Sequence, residues 1–133
     1  MSSDSIYLGN PNLKKANTAH EFTEEQIIEF LKCKEDPVYF AKTFLKIVSL
    51  DEGLVPFTLY PFQEKLIRNF HESRFNICKM PRQTGKSTTC VAYLLHYAVF
   101  NDNVNIAILA NKASTARDLL GRLQLAYENL PNW

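Results

Sequence analysis

Over the first half of the chain the apolar positions recur at helical spacing. Residues 1–20 are rich in Ser, Asn and Lys, lack any apolar period, and read as a flexible N-terminal tail. Thr23 is placed to open a helix, with Gln26 three residues on to complete a capping box, and Ile27, Phe30 and Leu31 form its apolar stripe. Asp36-Pro37 has the form of an N-cap followed by a helix-starting proline. Phe40, Phe44 and Val48 follow in steps of four, so a second helix with a buried face is expected through Val48. Residues 49–60 contain Gly53 and Pro56 without helical period and are expected as an extended connector. Pro61 begins a third helix with Phe62, Leu66, Ile67 and Phe70 on one side, which puts Phe62 in the core.

Beyond residue 74 the pattern changes. Phe75 to Lys79 is short and bounded by charge and proline, as a strand is. Pro81–Gly85 is a loop, and a long helix from Lys86 to Asn101 is expected to bury Val91, Leu94, Leu95, Ala98 and Val99. Asn105–Ala110 is a nearly continuous apolar run, typical of a parallel strand covered on both faces. A last helix from Ala113 carries Leu119, Leu120, Leu123 and Leu130, and Pro131 stops it. The expected organisation is therefore a tail (1–20) and one domain portion (21–133). The latter divides into a helical lead-in over 21–73 and a right-handed parallel β-α-β-α unit over 74–133, an α/β fold preceded by helices.

Composition adds little to this. The 133 residues, 46% hydrophobic and 22% charged, suit one modest domain. No stretch approaches the roughly 20 apolar residues of a membrane-spanning helix. The polar segment Met1–Lys15 has no apolar signal core, so secretion is not expected. Cys33, Cys78 and Cys90 lack paired zinc spacing and read as three small buried hydrophobes in a reducing cytosol. Residues 1–73 carry 8 basic and 11 acidic groups, net −3; residues 74–133 carry 7 basic and 3 acidic groups, net +4. A basic second half suits a polyanion such as a nucleotide or DNA, although ordinary scatter of surface charge gives the same imbalance. His20, His71 and His96 are scattered and receive no role.

The segment that carries chemistry is Met80-Pro81-Arg82-Gln83-Thr84-Gly85-Lys86-Ser87-Thr88. A triphosphate needs several converging donors. A loop of successive backbone N–H groups supplies them, and the following helix points its positive end at the same place. Gly85 permits close backbone approach, Lys86 reaches the β- and γ-phosphates, and the Ser87 hydroxyl binds Mg²⁺. Gln83 and Thr84 contribute loop amides, and Thr88 at the helix start donates to the α-phosphate. The usual pattern opens with a glycine where this chain has Met80. Position between an expected strand and an expected helix supports the reading; the alternative is a helix N-terminus that merely contains Lys and Ser.

Pro81 to Thr88 is similar to the deviant Walker A segment of phage terminase large subunits, especially the T4-like group, which also lacks the first glycine and carries an arginine before Gly-Lys. The resemblance continues into Ile108-Leu109-Ala110-Asn111-Lys112-Ala113-Ser114 and covers residues 37–133. It implies part of a P-loop NTPase sheet of the ASCE/RecA-like kind. ATP and Mg²⁺ are the implied cofactors, and Lys86 and Arg82 the implied catalytic residues. Arg82 would stabilise the γ-phosphate in cis, against the alternative of a solvated loop arginine. Leu59-Tyr60-Pro61-Phe62-Gln63 resembles the adenine-recognising Q motif of terminases and related helicases. The Gln63 amide can pair with the adenine edge, with Tyr60 or Phe62 against the base; alone, Gln63 would read as an exposed helical residue. For the whole protein the resemblance implies coupling of ATP hydrolysis to DNA packaging. It implies double-stranded DNA, a portal protein and a small terminase subunit as partners. It places the protein in the host cytoplasm and transiently at the procapsid portal, with no membrane.

The family also has an acidic strand end for Mg²⁺, a glutamate that positions water, and a nuclease domain. Beyond Ser87 the acidic residues are Asp102, Asp118 and Glu128, and none ends a hydrophobic strand. Little or no hydrolysis is therefore expected of this chain alone, and its two strands, not neighbours in such folds, are expected to have exposed edges and to leave the chain marginally stable. Asn111, Lys112, Ser114 and Arg117 follow the second strand and contact phosphate or DNA, or form a solvated helix start. Competing readings are a helicase-like P-loop ATPase fragment, a small P-loop kinase, and a non-catalytic interaction module with a vestigial nucleotide site.

Overall fold

A computed structural model describes residues 6–7, 9–16, 18–49 and 52–131. Its elements are β1 (Ile6–Tyr7), β2 (Asn10–Lys14), α1 (Glu24–Glu35), α2 (Pro37–Phe44), β3 (Lys46–Ser49), β4 (Gly53–Pro56), α3 (Pro61–Glu72), α4 (Lys86–Phe100) and α5 (Ala113–Glu128). Within the segment expected as a tail, β1 and β2 pair antiparallel around Gly9, whose φ is +76°.

The helix starts lie where local chemistry puts them. Gln26 N donates to Thr23 Oγ1 at 3.2 Å while Thr23 N donates to Gln26 Oε1 at 3.0 Å, a complete capping box. Asp36 Oδ1 accepts from Val38 N and Tyr39 N at 2.9 and 3.2 Å, with Pro37 at the first helical position. The buried faces differ from expectation. On α1, Cys33 is buried and Phe30 half-buried against Phe100, whereas Ile27 and Leu31 are exposed. Packing against α2 and α4 rotates the helix away from the face its apolar residues define.

α2 ends at Phe44, not Val48. The β-branched pair Ile47-Val48 turns into β3, which pairs antiparallel with β4 in the register Ile47↔Val55 and Val48↔Leu54. Phe57 N donates to Leu45 O at 2.9 Å and extends this ladder by one step. A third of the expected connector, Gly53–Pro56, is therefore the second arm of a hairpin, and Val48 is exposed.

On α3, Ile67 is fully buried and Leu66 and Phe70 are half-buried, but Phe62 is exposed, contrary to its expected core position. It stacks on Tyr60 with ring centroids 5.8 Å apart and planes 6° from parallel.

α4 runs through the centre of the fold, packed on α2, α3 and α5. Val91, Ala92 and Leu95 are buried on it; of the other expected core positions, Leu94 and Val99 are half-buried and Ala98 is exposed. Val38, Phe40, Ala41, Leu45, Phe57 and Ala126 complete most of the core. α5 stops at Glu128, with Asn129 at its C-cap; of the expected stripe Leu119, Leu123 and Leu130 are half-buried and Leu120 is exposed, and Ala126 is the residue fully buried.

Neither segment expected as a parallel strand enters a ladder. Residues 75–80 and 104–110 run without strand pairing, and Phe75, Ile77 and Leu109 are almost entirely exposed. The sheets among the described residues are two antiparallel pairs. A strand's backbone hydrogen bonds all go to a neighbour, so an apolar run marks a candidate strand without supplying its partner.

Candidate functional site

The loop between residues 80 and 85 makes two left-handed turns. Gln83 has φ +61° and Gly85 φ +72°, and α4 begins immediately after. A left-handed non-glycine residue is uncommon, so Gln83 marks a backbone held by its surroundings. Gly85 occupies the N-cap of α4 without a side-chain cap. The first-turn amides are therefore not taken up by a capping side chain, and the positive end of the helix dipole faces the loop.

Three side chains fold the loop inward. Lys86 Nζ donates to Met80 O at 2.9 Å and to Pro81 O at 2.8 Å. Thr84 Oγ1 donates to Pro81 O at 3.0 Å. Thr89, fully buried one turn into α4, donates through Oγ1 to Gly85 O at 2.9 Å, and its backbone N–H donates to the same oxygen at 2.9 Å. Thr89 was not singled out from sequence, because a threonine within a helix carries no signal distinguishing an anchor from an ordinary back-bonded side chain. The Lys86 ammonium, at the head of α4, is the cation turned back onto the loop. It satisfies two of its own carbonyls and can exchange them for an anion.

Gln63, 22 positions upstream of Gly85, arrives at the same place. It is 3% exposed. Its Oε1 accepts from Tyr60 N at 2.9 Å and its own N–H donates to Tyr60 O at 2.9 Å. The amide nitrogen lies against the loop: a Cβ built on Gly85 would sit 2.6 Å from Gln63 Nε2.

A cleft of about 590 Å³ opens beside this contact, within the size range of small-molecule sites. Ile47, Val55 and Pro56 of the hairpin form one wall, and Gln83, Thr84, Gly85 and Thr88 form the other. Tyr60, Phe62 and Gln63 line the space between them. Of the expected site residues, Gln63, Gln83, Thr84, Gly85 and Thr88 thus meet in one cleft, with half-buried Lys86 on the loop that borders it. Arg82 and Ser87 are exposed and do not line it. Asn111, Lys112, Ser114 and Arg117 are exposed around the start of α5. The hairpin wall was not anticipated, because residues 46–56 had been divided between a helix and a connector.

A polyphosphate fits the donors of this loop: left-handed turns, a helix N-terminus free of a capping side chain, and an ammonium within reach. Magnesium would find the Ser87 hydroxyl and the phosphate oxygens. Among the described residues no cluster of three or more His, Cys, Asp or Glu is arranged to hold a metal. No helix among them is long and apolar enough to cross a membrane.

Two titratable groups belong to the core rather than to the site. His96 is buried among Phe40, Tyr93 and Phe100, and its Nε2 lies 2.8 Å from Cys33 O. A carbonyl only accepts, so Nε2 carries the proton and Nδ1 is left as a buried acceptor without a partner. Burial lowers the His96 pKa. Burial likewise raises the Cys33 thiol to about 11, which makes it a structural hydrophobe.

No protein-family model matches the chain.

Proposed function

We propose that this chain binds ATP with Mg²⁺ through the Pro81–Thr88 loop, and that it is the N-terminal portion of the ATPase domain of a viral DNA-packaging motor of the terminase large-subunit kind. The observation that carries the reading is the contact of Gln63 with Gly85. Two segments that resemble the two nucleotide-binding motifs of that family, remote in sequence, border one cleft of suitable size.

In this reading the loop amides and the α4 N-terminus hold the phosphates. Lys86 leaves the carbonyls of Met80 and Pro81 for the β- and γ-phosphate oxygens. Ser87 faces the magnesium ion, and Thr88 donates to the α-phosphate. Arg82, exposed at the loop, offsets charge at the γ-phosphate. Tyr60 and Phe62 border the base. Magnesium, when bound, neutralises charge on the β- and γ-phosphate oxygens.

In the whole motor, residues 75–79 and 104–110, unpaired here, would then join a parallel P-loop sheet, and Phe75, Ile77 and Leu109 would lie on its covered faces. The motor of which this portion is the front acts in the host cytoplasm and at the procapsid portal. Its partners are double-stranded DNA, the portal protein and the small terminase subunit.

Calorimetric titration of the chain with MgATP is the test, with Lys86→Ala as the control. Loss of the ammonium is expected to weaken binding by about tenfold or more. Equal binding by both proteins would remove the phosphate-loop reading and leave a non-catalytic interaction module. Steady-state turnover by the isolated chain is expected to be negligible, since Asp102, Asp118 and Glu128 are exposed or half-buried outside the cleft.

A further inference from the structure

Gln63 offers unusually little of itself to a ligand. Its amide oxygen is taken by the Tyr60 N–H at 2.9 Å, its backbone N–H is returned to Tyr60 O, and the residue is 3% exposed. Ile67, one turn further along α3, is fully buried and fixes the helix against the core. The free end of the amide is turned to Gly85, close enough that a Cβ there would sit 2.6 Å away. Gly85 is also held through its carbonyl oxygen by the Thr89 amide and hydroxyl. Reading a base edge requires a donor and an acceptor presented side by side. Here the amide oxygen already accepts from Tyr60 N–H and the amide nitrogen lies against Gly85, so the pair is oriented by the loop rather than presented toward a base.

We propose that Gln63 is a positioning residue for the phosphate loop rather than the group that discriminates the base. The inference rests on the ATP-binding reading above and deepens it. Gln63 packs against Gly85 while Thr89 holds its carbonyl oxygen, and together they fix the left-handed turn from which the first amides of α4 project. What remains for the base is the paired faces of Tyr60 and Phe62, 65% and 45% exposed. Aromatic faces stack on any base, so this site accepts purine nucleoside triphosphates with little discrimination between adenine and guanine.

The test uses the full chain and three probes: MgATP, MgGTP and magnesium tripolyphosphate, which has no base. Wild type is expected to bind ATP and GTP within about threefold of each other. Gln63→Glu keeps the acceptor for Tyr60 N–H but sets a carboxylate beside the loop. It is expected to weaken tripolyphosphate and ATP alike, by about tenfold. Gln63→Ala should weaken both by the same smaller factor.

The proposal is overturned if either variant loses ATP yet binds tripolyphosphate as wild type does. It is equally overturned if wild type strongly prefers ATP and Gln63→Ala abolishes the preference. A double-mutant cycle in urea provides a readout without any ligand. Gly85→Ala is expected to cost less in the Gln63→Ala background than alone, and strict additivity would sink the clamp by itself. Failure of wild type to bind any of the three probes would instead sink the nucleotide reading, and the base inference with it.

Discussion

Gln63 and Gly85 are fitted to each other: a β-carbon on Gly85 would stand 2.6 Å from the Gln63 amide nitrogen, and Gly85 also holds φ at +72°. Two separate costs therefore meet any larger residue at position 85. Gly53 isolates one of them, because it has φ +74° with nothing within 4 Å of its would-be Cβ. Gly53→Ala is expected to cost about 1 kcal/mol of left-handed strain. Gly85→Ala should cost that plus the displacement of a buried, pinned amide, about 2–3 kcal/mol in all. Urea denaturation of the two variants measures the difference, and equal midpoints would mean the Gln63 amide yields freely.

Thr89 anchors the same glycine from the helix side. In Thr89→Val the shape is retained and the hydroxyl lost, while Gly85 O keeps the Thr89 backbone N–H as a donor. No buried carbonyl is orphaned, so a loss of about 0.5–1.5 kcal/mol is expected. Binding of tripolyphosphate should weaken in parallel. A variant as stable as wild type with unchanged binding would show that the hydroxyl contributes nothing to the loop.

His96 makes stability depend on pH. Burial holds its folded pKa below the ordinary value of 6.5, and the neighbouring His71 ring, 6.0 Å away, opposes its protonation further. The Cys33 and Lys34 backbone and Asp36 pull in the other direction without cancelling the shift. The unfolded chain therefore binds the proton more tightly than the folded one. The contribution is fully present above pH 6.5 and is lost as pH falls from there through the folded value. Urea midpoints across about pH 5 to 8 should decline toward acid. His96→Gln, which keeps a donor for Cys33 O but does not titrate, should show a shallower slope.

Ile77 is fully exposed and Leu109 is 92% exposed. Ile77→Ser and Leu109→Ser are therefore expected to leave the urea midpoint of the chain within about 0.5 kcal/mol of wild type. They should also reduce self-association in sedimentation velocity, since exposed apolar segments with unpaired backbone are association sites. A large loss of stability from either substitution would mean that its side chain packs in solution.

Sequence alone determined the features whose partners lie within one helical turn. Thr23 with Gln26 and Asp36 before Pro37 satisfy backbone groups three residues away or fewer, and Pro61 presets the first helical φ of α3, so their residue types and spacing suffice. The segment Pro81–Thr88 stands out in the sequence for a related reason: glycine, lysine and the following hydroxyls are consecutive. Only the tertiary structure decided the rest. The hairpin over residues 46–56 overrode a helical apolar period because each strand's hydrogen bonds are made by the other. Phe62, expected in the core, lies outside while the Gln63 amide lies within, because α3 packs through Ile67 and turns Gln63 toward Gly85. Residues 75–79 and 104–110 carry the apolar pattern of strands without forming them here, since a ladder is a property of two chain segments and no one-dimensional pattern contains the second.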